Sequence, residues 1–116
     1  MIKILSKIDG INNVLENNNL LEIEFEKKNI IKIIYELKEN TELSFNQLLD
    51  ITAVDYPSRE FRFDLIYILQ SLTKNKKIIL KTFIKENENI ETITNIHKSA
   101  DWYERECYDL FGIEFI

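Results

Sequence analysis

Phe61-Arg62-Phe63-Asp64-Leu65-Ile66-Tyr67-Ile68-Leu69-Gln70 sets rings and leucines at its odd positions against Arg62, Asp64, Ile66, Ile68 and Gln70 at the even ones. Successive side chains of an extended chain point to opposite faces, so this period of two predicts a strand with one face committed to a core. Residues 78–85 do the same with Ile79, Phe83 and neighbouring lysines. The connection from Thr73 to Lys77 is short enough for a hairpin, which predicts an antiparallel pair.

Working outward, Leu21, Ile23 and Phe25 alternate with Glu22, Glu24 and Glu26, the pattern of a half-buried strand with a solvated acidic face. Between Lys27 and Glu39, Ile30, Ile33, Ile34 and Leu37 recur at three- and four-residue spacing, which predicts an amphipathic helix despite its β-branched content. Ser44 is placed to cap a short helical turn through Leu48, and a strand from Ile51 to Asp55 stops before Pro57. Residues 2–9 read as a short helix ending at Gly10, and Asn17-Asn18-Asn19 as a turn. Downstream, a short strand near Ile90 to Ile93 precedes a last helix. Ser99 offers that helix an N-terminal side-chain acceptor, Asp101 places negative charge in its first turn, and Gly112 suits a left-handed exit. Strands and helices that do not alternate strictly, with a hairpin among them, make the expected fold α+β: helices packed on one face of a mostly antiparallel sheet, residues 1–116 forming a single domain.

Composition narrows function. A chain of 116 residues, 45% apolar and 30% charged, has the balance of an ordinary globular domain. Its net charge of −5 comes without a basic stripe, which argues against nucleic acid. Lys74, Lys76 and Lys77 are the one tight basic group and read as a solvated turn. The longest uncharged stretch falls far below the ~20 residues needed to cross a bilayer, so no direct membrane insertion is expected. No charged-then-apolar leader is visible, and the expected compartment is the cytoplasm. One Cys and one His supply neither an internal disulfide nor the ligands of a structural zinc or iron–sulfur centre, and no Gly-rich phosphate loop is present. The expected cofactor and metal complement is none.

Chemistry-bearing residues gather in the terminal block, Ala100 to Ile116. At the helical period, Trp102, Tyr103, Cys107, Leu110 and Phe111 form one broad apolar arc, while Asp101, Arg105 and Asp109 run along the opposite side. Glu106 lies inside the arc, four residues after Trp102 and four before Leu110. A carboxylate shielded by an indole and a leucine is costly unless a cation or N–H groups meet it. It either pairs with a partner, or with Arg59 or Arg62, or reaches past Trp102 into water. Trp102, Tyr103, Tyr108 and Phe111 are more ring surface than one helix face can bury against a small sheet, which points to a protein–protein anchor that Phe115 and Ile116 extend. Arg105, between Asp101 and Asp109, reads as a solvated helix face or a bidentate grip on a partner carboxylate. Cys107 is expected to be inert packing, His97 solvent-facing or capping, and Asp50, Asp55 and Asp64 solvated or capping rather than catalytic.

Two stretches carry a resemblance. Ala100-Asp101-Trp102-Tyr103-Glu104-Arg105-Glu106 with Tyr108-Asp109-Leu110-Phe111-Gly112-Ile113 resembles the signature of the 30 kDa subunit of respiratory complex I. That family includes the homologous small subunit of energy-converting nickel-iron hydrogenases. Leu49-Asp50-Ile51-Thr52-Ala53-Val54-Asp55-Tyr56-Pro57, followed by Phe61-Arg62-Phe63 and Tyr67-Ile68-Leu69-Gln70-Ser71-Leu72, is similar to the strand and phenylalanine-rich strand that the family shows at this distance. The resemblance spans roughly residues 20–116. Longer members continue past the phenylalanine-glycine block into a glycine-histidine-proline and arginine-rich tail, whereas this sequence stops at Phe115-Ile116. Compact members occur among the hydrogenases.

What the resemblance implies is a cofactor-free structural and assembly subunit, non-catalytic by itself, in the soluble arm of a membrane-bound NADH:quinone oxidoreductase. Its implied partners are the large quinone-site subunit (49 kDa-type) and neighbouring iron–sulfur subunits, on the cytoplasmic face of the inner membrane. The alternative is the equivalent subunit of an energy-converting nickel-iron hydrogenase, seated on that enzyme's large subunit. A stand-alone binding module is a second alternative and would need a concave pocket with convergent polar groups. The expected partner-binding residues are Trp102, Tyr103, Glu104, Arg105, Glu106, Tyr108, Asp109, Phe111 and Gly112.

Overall fold

The hairpin forms as the alternation requires. In the computed structural model, which describes residues 1–116, β4 (Phe63–Ser71) and β5 (Lys76–Ile84) pair antiparallel from Phe63 opposite Ile84 to Ser71 opposite Lys76. Asn75 turns the chain between them with φ +52, a conformation asparagine tolerates. Phe63, Leu65, Tyr67 and Leu69 face inward from β4, and Ile78, Leu80, Thr82 and Ile84 from β5. Ile79 and Phe83, the residues that signalled this strand, stand on its other, half-exposed face.

The remaining elements are α1 (Ile2–Leu5), β1 (Ile11–Asn17), β2 (Leu20–Phe25), α2 (Ile30–Glu39, after a 3-10 turn at Lys27–Asn29), β3 (Gln47–Asp55), β6 (Asn89–Ile90), α3 (Ala100–Phe111) and β7 (Glu114–Phe115). The sheet runs β1-β2-β5-β4-β3, antiparallel throughout except where β2 lies parallel to β5. A two-stranded parallel pair, β6–β7, stands apart. The expected α+β architecture is the one formed: α2 and α3 contribute Ile30, Ile33, Ile34, Leu37, Ala100 and Cys107 to the same buried cluster as the inner row of the sheet.

Four local readings need correction, the first being the helix expected over residues 2–9, which is only Ile2–Leu5. Residues 11–17 form an edge strand that the sequence pattern does not show, because only Ile11 and Val14 are even half-buried and three of its seven residues are asparagine. Ser44 caps no helical turn: it adopts φ +54, its Oγ donates to the Thr41 carbonyl at 3.1 Å, and β3 begins at Gln47. A bulge between Leu48 and Asp50 breaks the alternation there, which hid the first half of β3. Finally, the strand expected over 90–93 is only Asn89–Ile90. Gly10 is needed where α1 hands over to β1. Its φ is +91, and a Cβ there would lie 2.3 Å from Asn29 Nδ2.

The sheet's outer face, with Thr52, Ile66, Ile68, Ile79 and Lys81, has no helix over it and forms a groove of about 340 Å³ bordered by Leu15, Glu22 and Glu24. The loop before β4 runs from Tyr56 to Arg62. There Arg59 lies 4.0 Å over the Tyr56 ring and 5.9 Å over Phe83, and it ion-pairs with the buried Asp64.

Candidate docking face on the terminal helix

Helix α3 starts from a turn in which backbone carbonyls take the first donors: Ala100 N–H donates to His97 O and Asp101 N–H to Lys98 O. Ser99 is the N-cap, but in helical geometry (φ −62, ψ −17) and with no side-chain cap bond. The expected hydroxyl cap is therefore replaced by main chain. At the other end Gly112 exits at φ +74 and its N–H donates to Tyr108 O at 2.8 Å, the left-handed termination expected of it.

The helix lies against β3 with Ala100, Glu104 and Cys107 buried and Tyr103 and Phe111 half-buried. Phe111 meets Phe63 edge-to-face at 6.1 Å, and the Cys107 thiol donates to Ile51 O at 3.3 Å. This face is turned roughly a quarter of a turn from the centre of the apolar arc. Glu104 explains the rotation. Its Oε2 accepts the Ile93 N–H at 2.9 Å and its Oε1 the Thr92 hydroxyl at 2.5 Å, so the carboxylate bolts the helix to the turn after β6. Burial pushes the Glu104 carboxyl up from its ordinary value; the Thr92 and Ile93 bonds pull it down, and Asp101 adds to the rise.

Glu104 and Glu106 thus exchange the surroundings expected of them. Glu104 satisfies its charge within the chain, while Glu106 is exposed on the outer face between Trp102 and Leu110, each of them 69% exposed. Neither Arg59 nor Arg62 reaches it: Arg59 is held by Asp64, and Arg62 grips Asp55 through two bonds of 2.7 and 2.9 Å. Of the other expected partner-binding residues, Arg105, Tyr108, Asp109 and Gly112 are exposed. Arg105 pairs with Asp101 at 3.2 Å and not with Asp109. Tyr103 and Phe111 serve this chain's own core.

Beside α3, between it and β7, opens a cavity of about 460 Å³ lined by Asp101, Glu104, Tyr108, Asp109 and Glu114, with Arg105 the single cation on its wall. The C-terminal strand that closes it is held by Thr92 N–H to Ile116 O and Ile116 N–H to Ile90 O.

The remaining candidates sort by burial. Cys107 is the packing residue expected: burial, then the charges of Asp50, Glu106 and Glu104, push its thiol up to about 12. His97 is neither solvent-facing nor capping. It is 6% exposed, its Nε2 has no partner, and burial with the nearby Lys38 charge lowers its pKa. Asp50, Asp55 and Asp64 do not converge, since Asp55 and Asp64 are each held by a different arginine. Lys76 ties the β4–β5 turn to Glu16 at 2.9 Å and to the Asn18 carbonyl at 3.2 Å. No helix is long and apolar enough to cross a membrane.

Comparison with known proteins gives a consistent answer. The family model described as respiratory-chain NADH dehydrogenase, 30 Kd subunit, matches residues 23–116. An NADH-quinone oxidoreductase subunit of Ruegeria pomeroyi is 40% identical over 95 residues, which are 82% of this chain and 48% of that protein. The mitochondrial NADH dehydrogenase [ubiquinone] iron-sulfur protein 3 of Candida albicans is 48% identical over 79 residues, covering 68% of this chain and 28% of that one. This chain therefore spans about half the length of the bacterial relative, and less of the fungal one. Among solved structures, a chain from the membrane-bound sulfane sulfur reductase, an archaeal respiratory membrane complex, superposes with a TM-score of 0.85 at 28% identity over 98% of this chain and 66% of its own.

Proposed function

The chain belongs to the respiratory-chain NADH dehydrogenase 30 kDa subunit family, and from that premise we propose that it is a cofactor-free structural subunit in the soluble arm of a membrane-bound NADH:quinone oxidoreductase. It docks on the large quinone-site subunit through the outer face of α3, on the cytoplasmic side of the membrane. The observation that carries this reading is the pair Trp102 and Leu110, eight residues apart on one helix face and each 69% exposed. An indole left in water forgoes about 2 kcal/mol of burial free energy. Its own chain has no use for it there, because Glu104 already fixes which side of α3 faces the sheet. The role is positional: the sole cysteine is buried with its thiol pushed up to about 12, and the sole histidine is buried.

A second reading, the equivalent subunit of an energy-converting nickel-iron hydrogenase, draws on the likeness to a chain of a membrane-bound sulfane sulfur reductase. One experiment serves both. The tagged chain is recovered from gently solubilised membranes and the accompanying large subunit is identified by mass spectrometry. Trp102→Ala should lower that subunit's recovery about tenfold, the equivalent of roughly 1.4 kcal/mol, while the isolated chain melts as before. Wild-type recovery from the variant refutes docking through this face.

A further inference from the structure

The terminal block is charged in a way the rest of the surface is not. Ala100 to Ile116 holds five carboxylates and one arginine, so it carries four of the chain's five net negative charges. Elsewhere the acidic and basic side chains nearly balance, and several acidic ones have a cation beside them: Glu88 with Lys27, Asp9 with Lys32, Glu16 with Lys76 and Glu60 with Lys85. Within the block the only ion pair is Arg105 with Asp101. Glu106, Asp109 and Glu114 are exposed and make no ion pair, Arg105 being engaged by Asp101. They surround the same uncovered helix face that presents Trp102 and Leu110.

Resting on the docking reading above, we propose that the partner surface over α3 is basic: an apolar recess for Trp102 and Leu110, ringed by lysine or arginine side chains that meet Glu106, Asp109 and Glu114. One of these cations enters the 460 Å³ cavity between α3 and β7. There it meets Asp109 and Glu114, and the exposed Tyr108 offers a ring face for it to stack on. Carboxylates crowded on one helix repel each other while the chain is free, and a cationic partner relieves that repulsion as it excludes water. The same charge repels anionic lipid headgroups, so this face turns away from the membrane and toward protein. Charge at the rim of an apolar contact acts mainly on encounter rate and on choice of partner.

The test uses the chain within its own solubilised complex, re-equilibrated at increasing salt from about 50 to about 500 mM, across which the screening length shrinks several-fold. Wild-type retention on the large subunit should fall about tenfold across that range. Glu106→Gln with Asp109→Asn should flatten the salt dependence, and Glu106→Lys with Asp109→Lys should reduce retention about tenfold even at low salt. Both pairs are exposed, and unchanged melting of the isolated variants confirms that folding is intact. If the charge-reversed pair keeps wild-type retention and salt slope while Trp102→Ala loses the partner, docking stands and the basic surface is overturned. If Trp102→Ala and the charge-reversed pair all retain the partner, the docking reading falls too, and this inference with it.

Discussion

Glu104→Ala should cost this fold far more than Glu106→Ala, although the two residues lie half a turn apart on the same helix. In the wild-type chain the Glu104 carboxylate accepts from Ile93 N–H and from the Thr92 hydroxyl, and Ile93 has no exposed surface. Hydrogen bonds to a charged acceptor are worth about 1.5–3 kcal/mol each, and a buried N–H left without a partner forfeits a similar amount. Against this stands the cost of holding a carboxylate out of water, which is what raises its pKa. The balance is a net loss of about 2–3 kcal/mol, or about 10 °C in melting temperature for a domain somewhat above 100 residues. Glu106 is exposed and makes no ion pair, so its truncation should fall within about 0.5 kcal/mol of wild type. Urea unfolding followed by far-ultraviolet circular dichroism measures both, with the m-value as a check that the unfolding reaction is unchanged.

The pH dependence of that difference has a definite sign. Glu104 has a folded-state pKa above 4.5, so the folded chain holds this proton more tightly than the unfolded one. The corresponding stability is fully present below the unfolded value and is lost as pH rises through the folded value. The gap between wild type and Glu104→Ala should therefore be wider on the acid side and narrow as the carboxyl ionises. A Glu104→Ala variant within about 0.5 kcal/mol of wild type, or one matched by Glu106→Ala, would show that the Thr92–Ile93 anchor is not what orients α3.

Two further outcomes follow from the buried titratable groups. The Cys107 thiol, pushed up to about 12, should react with aromatic disulfide reagents at about pH 8 only as fast as the chain unfolds, with the rate climbing in urea; immediate stoichiometric labelling in buffer contradicts its burial. His97, the only histidine, should give a single imidazole proton resonance that titrates below 6.5. Because the folded value is lowered, its contribution to stability is intact above 6.5 and is lost as pH falls through the folded value; a midpoint at or above 6.5 contradicts the unpartnered, buried ring.

Most of the architecture could be read from periodicity, because β2, α2 and β4 each bury a row of apolar side chains and the row carries the period, while β5 shows its period on the opposite, half-exposed row of Ile79 and Phe83. The failures share a cause: polar groups satisfied by main chain or by distant sequence. Strand β1 is held by ladder bonds to β2 while burying little, so no apolar period marks it and only the turn that follows, at Asn18 and Asn19, could be read. Ser99 has the right residue type for a cap, yet carbonyls of the preceding turn take the donors it would have served. His97 looked like a surface residue because nothing local announces that the segment between β6 and α3 folds inward.

The terminal helix shows where such reading stops and why the error bears on function. Counting rings correctly indicated a surplus: of the four aromatics in α3, Tyr103 and Phe111 enter the core while Trp102 and Tyr108 stay outside. Hydrophobic pattern alone could not say which, since an apolar side chain destined for a partner has the same periodicity as one destined for its own sheet. Polar accounting decides it. Only one of the two glutamates can reach Ile93 N–H, and once Glu104 does, Trp102, Glu106 and Leu110 must face away. A helix fixed from within by a two-bond carboxylate anchor offers its outer residues in a settled orientation, so less conformational freedom remains to be lost when a second surface closes over them. On the docking proposed above, the anchor and the outer face act as one device: loosening Glu104 should weaken attachment of the partner even though Glu104 itself lies on the side of the helix turned toward the core.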